Sequence, residues 1–129
     1  MINDGCRLMV VDDELIVCKR LKQILEKAGY DVTVFNNGED AVKELELESY
    51  DIIVTDLKME GVDGMKILEA AKRKNPDTRV IMITGFAEIE TAREAFRKGV
   101  FDFISKPVEI DTIKKVIIKA QKEISGSKT

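Results

Sequence analysis

The chain has no histidine among its 129 residues. That absence excludes Ser-His-Asp and Cys-His catalysis and any metal site built on imidazole. Its two cysteines, Cys6 and Cys18, form neither a CxxC pair nor a zinc-binding spacing. Two thiols outside any disulfide pattern suit a reducing compartment, so a cytoplasmic protein is expected. There is no basic excess: 24 acids against 21 bases leave a net charge of −3. Direct nucleic-acid binding and attraction to an acidic membrane are therefore not expected. No apolar run approaches a membrane span or the hydrophobic stretch of a signal peptide. Low-complexity segments and linkers are missing too. With 44% apolar and 35% charged residues, the composition is that of one globular domain able to fold without disulfide or metal staples. The expected division is a domain over residues 1–124 and a short tail over residues 125–129.

What is present is an alternation of apolar runs and helical patterns. Arg7–Val11, Asp31–Phe35, Asp51–Thr55, Arg79–Ile83 and Phe101–Ile104 read as strands, short and rich in valine and isoleucine. Between them lie helical patterns at Glu14–Ala28, Glu39–Leu47, Met65–Lys74 and Ala87–Lys98, and a last one at Ile110–Glu123. In the fourth, Ile89, Ala92, Ala95 and Phe96 fall on one stripe. In the last, Ile113, Val116, Ile117 and Ala120 face inward, while Ile118 lies off the stripe and is expected on the surface. Gly29 and Gly99 close two helices, and Asn75-Pro76 stops another. This is a (βα)5 order, which predicts an α/β fold: a doubly wound parallel sheet of five strands with helices on both faces. Ligands of such sheets bind beyond the carboxyl ends of the strands.

Those ends carry the chemistry. Asp12 and Asp13 follow the first strand, Asp56 the third, Thr84 and Gly85 the fourth, and Lys106 comes two residues after the fifth. Taken singly, each has an ordinary explanation: a helix cap, a turn, a surface lysine, a β-branched strand residue. Taken together, three carboxylates in one crevice need a cation, and hard oxygen donors favour Mg2+, with Mn2+ as the alternative. A carboxylate facing such an ion and a lysine can act as a nucleophile towards phosphorus.

The segments Val10-Val11-Asp12-Asp13-Glu14, Asp56 with Met59 to Gly64, Ile83-Thr84-Gly85 and Gly99 to Pro107 resemble the receiver domain of two-component response regulators. The resemblance covers roughly residues 5–123. It implies a flavodoxin-like strand order of 2-1-3-4-5, as in chemotaxis-regulator receivers. It implies Asp56 as phosphoacceptor, with Asp12, Asp13, Asp56 and the backbone carbonyl of Lys58 around Mg2+. Lys106 would contact the phosphoryl group, Thr84 would be the switch hydroxyl, Phe103 the switch aromatic, and Lys106-Pro107 a cis peptide. A sensor histidine kinase or histidine phosphotransfer protein would be the donor. An output domain or separate protein would read the face formed by the fourth helix, fifth strand and last helix. Such a chain is not an enzyme beyond its own phosphoryl transfer and dephosphorylation.

Some positions depart from the family pattern. Glu60 stands where proline is common, which predicts a looser loop. Phe103 lacks the hydroxyl of tyrosine, and Val100 is bulkier than the usual alanine. Lys58 and Phe86 are large residues two positions after Asp56 and Thr84, which predicts slow self-dephosphorylation. Three competing readings remain. A haloacid-dehalogenase-type phosphatase would need an acid where Lys58 stands. A flavodoxin-like cofactor binder would meet repulsion from Asp12-Asp13-Glu14. A phosphorylation-independent interaction module would have no use for the complete acidic set.

Overall fold

The computed structural model describes residues 6–85 and 89–127. Strands and helices alternate: β1 (Arg7–Val11), α1 (Leu15–Lys27), β2 (Asp31–Phe35), α2 (Gly38–Leu47), β3 (Ile52–Asp56), α3 (Gly64–Lys74), β4 (Arg79–Thr84), α4 (Ile89–Arg97), β5 (Asp102–Ser105) and α5 (Ile110–Ser127). The strands are parallel and lie in the order β2-β1-β3-β4-β5, as expected.

Alternation along each strand divides the core in two. Leu8, Val10, Ile52, Val54, Ile81 and Ile83 meet Leu21 and Leu25 of α1 and Ile113 and Ile117 of α5 on one face. Met9, Val11, Ile53, Val80 and Met82 meet α2, α3 and Ala95 of α4 on the other. Both faces are covered, so the strands are apolar throughout rather than alternating with polar residues. Met59 and Met65 pack against the second core, as ordinary filling.

Three local differences from the sequence reading have clear causes. Asp56 and Thr84 are the last residues of their strands, because the pairings Asp56↔Ile83 and Thr84↔Ser105 extend each ladder by one. α5 runs to Ser127 rather than stopping at Glu123, because Ile124 is buried on the same stripe as Ile113 and Ile117. On α4 the expected inward stripe is only half used. Ala95 is buried, but Ile89 is 73% exposed and Phe96 54%. Ala87, placed in that helix by the sequence, and Phe86 lie outside the described residues. Ile118 is on the surface, as expected.

Candidate functional site

The strand order reverses at β1. The chain goes from β1 to β2 on one side, then returns to β3 on the other. Val11 stands opposite Thr55 in the β1–β3 ladder, so the next residues, Asp12 and Asp56, emerge side by side. This is the crevice where open α/β sheets bind ligands.

Carboxylate oxygens of Asp12, Asp13 and Asp56 lie within 4.8 Å of one another. Asp12 and Asp56 are buried and Asp13 is exposed, which leaves the cluster open on one side. Burial pushes the Asp12 carboxyl up to about 6; the Glu14 N–H pulls against this and the charge of Asp56 adds to it. That N–H donates to Asp12 Oδ1 at 2.9 Å, and the Asp12 N–H donates to the Phe35 carbonyl at 3.1 Å. Asp12 is therefore fixed at both backbone and side chain. Hard oxygen donors this close fit a small divalent cation, whose charge would offset the repulsion among the three carboxylates.

Lys106 reaches the cluster from β5. Its Nζ donates to Asp56 Oδ2 at 2.9 Å, and this bond first of all raises the ammonium above its ordinary pKa. Its backbone N–H donates to the Thr84 carbonyl at 2.9 Å, which keeps the ends of β4 and β5 in register. Thr84 is buried at the site's edge. The Lys106-Pro107 peptide is cis, as the family resemblance implied. Phe103 is half-buried on β5 opposite Met82, on the same side of the sheet as Thr84. Lys58 sits on the exposed loop after β3, one residue beyond the buried Leu57.

Several contributors escaped the sequence reading. The Thr55 hydroxyl donates to the Asp56 carbonyl at 2.9 Å. The Cys18 thiol donates to the Asp12 carbonyl at 3.2 Å, so this buried cysteine supports the acidic turn. Glu39 Oε1 accepts from the Val62 N–H at 3.1 Å, and a side chain on Gly38 would run into the Val62 carbonyl at 2.0 Å. The loop after Asp56 is thus held against α2 despite the missing proline at Glu60. Gly64 is needed for a similar reason, since a Cβ there would meet the Asp56 carbonyl at 2.6 Å. Such approaches join residues distant in sequence, so no local pattern announces them. At Gly85 a Cβ would touch the Lys106 side chain at ordinary distances of 3.8 Å or more.

Comparison with known proteins gives the same picture. The family model for the response regulator receiver domain matches residues 8–118. The transcriptional regulatory protein ZraR of Escherichia coli strain K12 is 32% identical over 120 residues, covering 93% of this chain and 27% of ZraR. The DNA-binding transcriptional regulator NtrC of the same organism is 33% identical over 102 residues, covering 79% of this chain and 22% of NtrC. The chain thus spans about a quarter of the length of these curated relatives. A CheY-like receiver domain protein from Methanospirillum hungatei JF-1 superposes with a TM-score of 0.90 at 28% identity, covering 95% of this chain and 98% of that one. NtrX from Brucella abortus gives a TM-score of 0.84 at 28% identity, covering 95% of this chain and 28% of NtrX. Among the described residues no helix is long and apolar enough to cross a membrane. The family match points to the regulatory role of receiver domains. The chain belongs to the family of response regulator receiver domains of two-component systems.

Proposed function

We propose that this receiver accepts a phosphoryl group on Asp56 from a phosphohistidine of a sensor histidine kinase or of a histidine phosphotransfer protein. The observation that carries this reading is the placement of Asp56 between Lys106 Nζ and two further carboxylates. Asp12, Asp13, Asp56 and the Lys58 carbonyl would hold Mg2+, with Mn2+ as the alternative. When bound, the ion supplies the positive charge that offsets the carboxylates and polarises the phosphoryl oxygens.

A carboxylate oxygen of Asp56 attacks phosphorus, the P–N bond breaks, and the imidazole leaves with its electron pair. Lys106 follows the new charge onto the phosphoryl oxygens, and the Thr84 hydroxyl donates to the same group. Movement of Thr84 makes room for Phe103, and the α4-β5-α5 face changes shape for an output domain or partner protein. The phosphatase reading is disfavoured by Lys58, which stands exposed where that chemistry needs an acid.

Incubation with acetyl phosphate and Mg2+ should give one phosphoryl adduct by intact mass. The adduct should vanish in Asp56→Asn and without a divalent cation. An adduct that persists in Asp56→Asn, or none in the native chain, would overturn the assignment. Slow self-dephosphorylation is expected from Lys58 and Phe86, the latter outside the described residues. A half-life of seconds, unchanged on shortening Phe86, would contradict it.

A further inference from the structure

The last turn of α4 is attached to the rest of the domain in three ways. Ala95 is buried in the core beneath the helix. Lys98, just past the helix, forms ion pairs with Glu69 of α3 and with Glu94. Between them, Phe96 places its ring edge-on to Phe103 of β5, with centroids 5.5 Å apart and planes inclined by 62°. Phe96 is itself 54% exposed, so it adds little to the core; Phe103 is the aromatic partner it meets.

Phe103 needs such a partner. Its backbone is held locally, since its N–H donates to the Asp102 carboxylate at 2.8 Å. Its ring has no hydroxyl with which to fix an orientation by hydrogen bonding, so packing alone decides where it sits. Aromatic rings favour the edge-to-face arrangement over simple apolar contact.

We infer that Phe96 is a positioning residue for the switch: its ring holds Phe103 in the half-buried place described above. Through this contact α4 and β5 move together, and Phe103 leaves its place only when the ring contact is given up. The role of the pair rests on the switch reading above; the pair itself rests on the ring geometry.

The test is 19F NMR of the chain carrying 4-fluorophenylalanine at position 103, without Mg2+ or phosphodonor. Phe96→Ala should split off a second resonance, with the minor population growing by about two- to tenfold, the range an edge-to-face pair supports. Phe96→Tyr should restore the native signal because it keeps the ring. Phe96→Leu should behave like Phe96→Ala although it refills most of the volume. Thermal unfolding of each variant verifies that the domain is folded during the measurement. A single resonance in Phe96→Ala, displaced or not, or rescue by leucine as good as by tyrosine, would overturn the inference. The same samples, given Mg2+ and acetyl phosphate, separate the two proposals. A ring response with no adduct on Asp56 leaves the hold of Phe96 on Phe103 standing and removes the phosphoacceptor reading, and with it the pair's part in a switch.

Discussion

The two ends of the sheet treat polar groups in opposite ways. At the amino end they are matched within the chain. The Arg7 guanidinium lies 4.5 Å from the centroid of the Tyr50 ring and donates to Glu48 and to the Ser49 carbonyl. The Tyr50 hydroxyl donates to Glu44, the Thr78 hydroxyl to the Tyr50 carbonyl, and the Arg7 N–H to Asp51. At the carboxyl end three carboxylates crowd together, and the Lys106 ammonium is bonded to one of them. A polar group placed for stability is met by a neighbour. A group placed for binding is left facing something that arrives from outside, at a cost in stability.

The contrast can be tested from both ends. The largest effect should come from filling the space behind the carboxyl end. Gly38→Ala would drive a methyl group into the Val62 carbonyl and displace the loop that leads from Asp56. A loss of about 3 kcal/mol is expected by chemical denaturation, together with weaker Mg2+ binding. A loss within about 0.5 kcal/mol, the range of a neutral surface change, would mean that the loop is not held as described. At the amino end, Thr78→Val strips the Tyr50 carbonyl of its donor in a buried place. It should cost about 1–2 kcal/mol while the rate of phosphorylation by acetyl phosphate stays native. A parallel fall in that rate would erase the distinction between the two ends. The smallest effect has the opposite sign. Asp12→Asn removes a buried charge but keeps an acceptor for the Glu14 N–H, so the metal-free domain should gain about 1 kcal/mol. The stabilisation that Mg2+ gives the native chain should shrink in the same variant. Melting curves with and without Mg2+ decide this, and a less stable metal-free variant would contradict it.

The sequence made the strands and the acidic crevice legible for one physical reason. An apolar run that stops on a charge marks the place where a buried strand reaches solvent. Asp12, Asp56 and Lys106 could be read this way, since strand direction and sheet order bring successive carboxyl ends together. Other features depend on what lies across from a residue. The stripe of α4 looked like a buried face, but periodicity states only that a face is apolar, and Ile89 and Phe96 turned out largely uncovered. Gly38 and Gly64 are each required by the backbone of another segment lying against them, which no local pattern announces. The end of α5 was misjudged because Ile124 continues the buried stripe beyond the last charged residues.

Lys106 also has a mechanical side. β5 is an edge strand, laddered to β4 alone, and β4 lies between it and β3. The bond from Lys106 to Asp56 therefore spans one strand and ties the rim of the sheet to its centre, like a guy line over a roof beam. Any group that draws the ammonium away from Asp56 slackens that line at one end only. The Lys106 N–H, bonded to the Thr84 carbonyl, still holds the end of β5 to β4 when the line slackens, so the two attachments of Lys106 act independently.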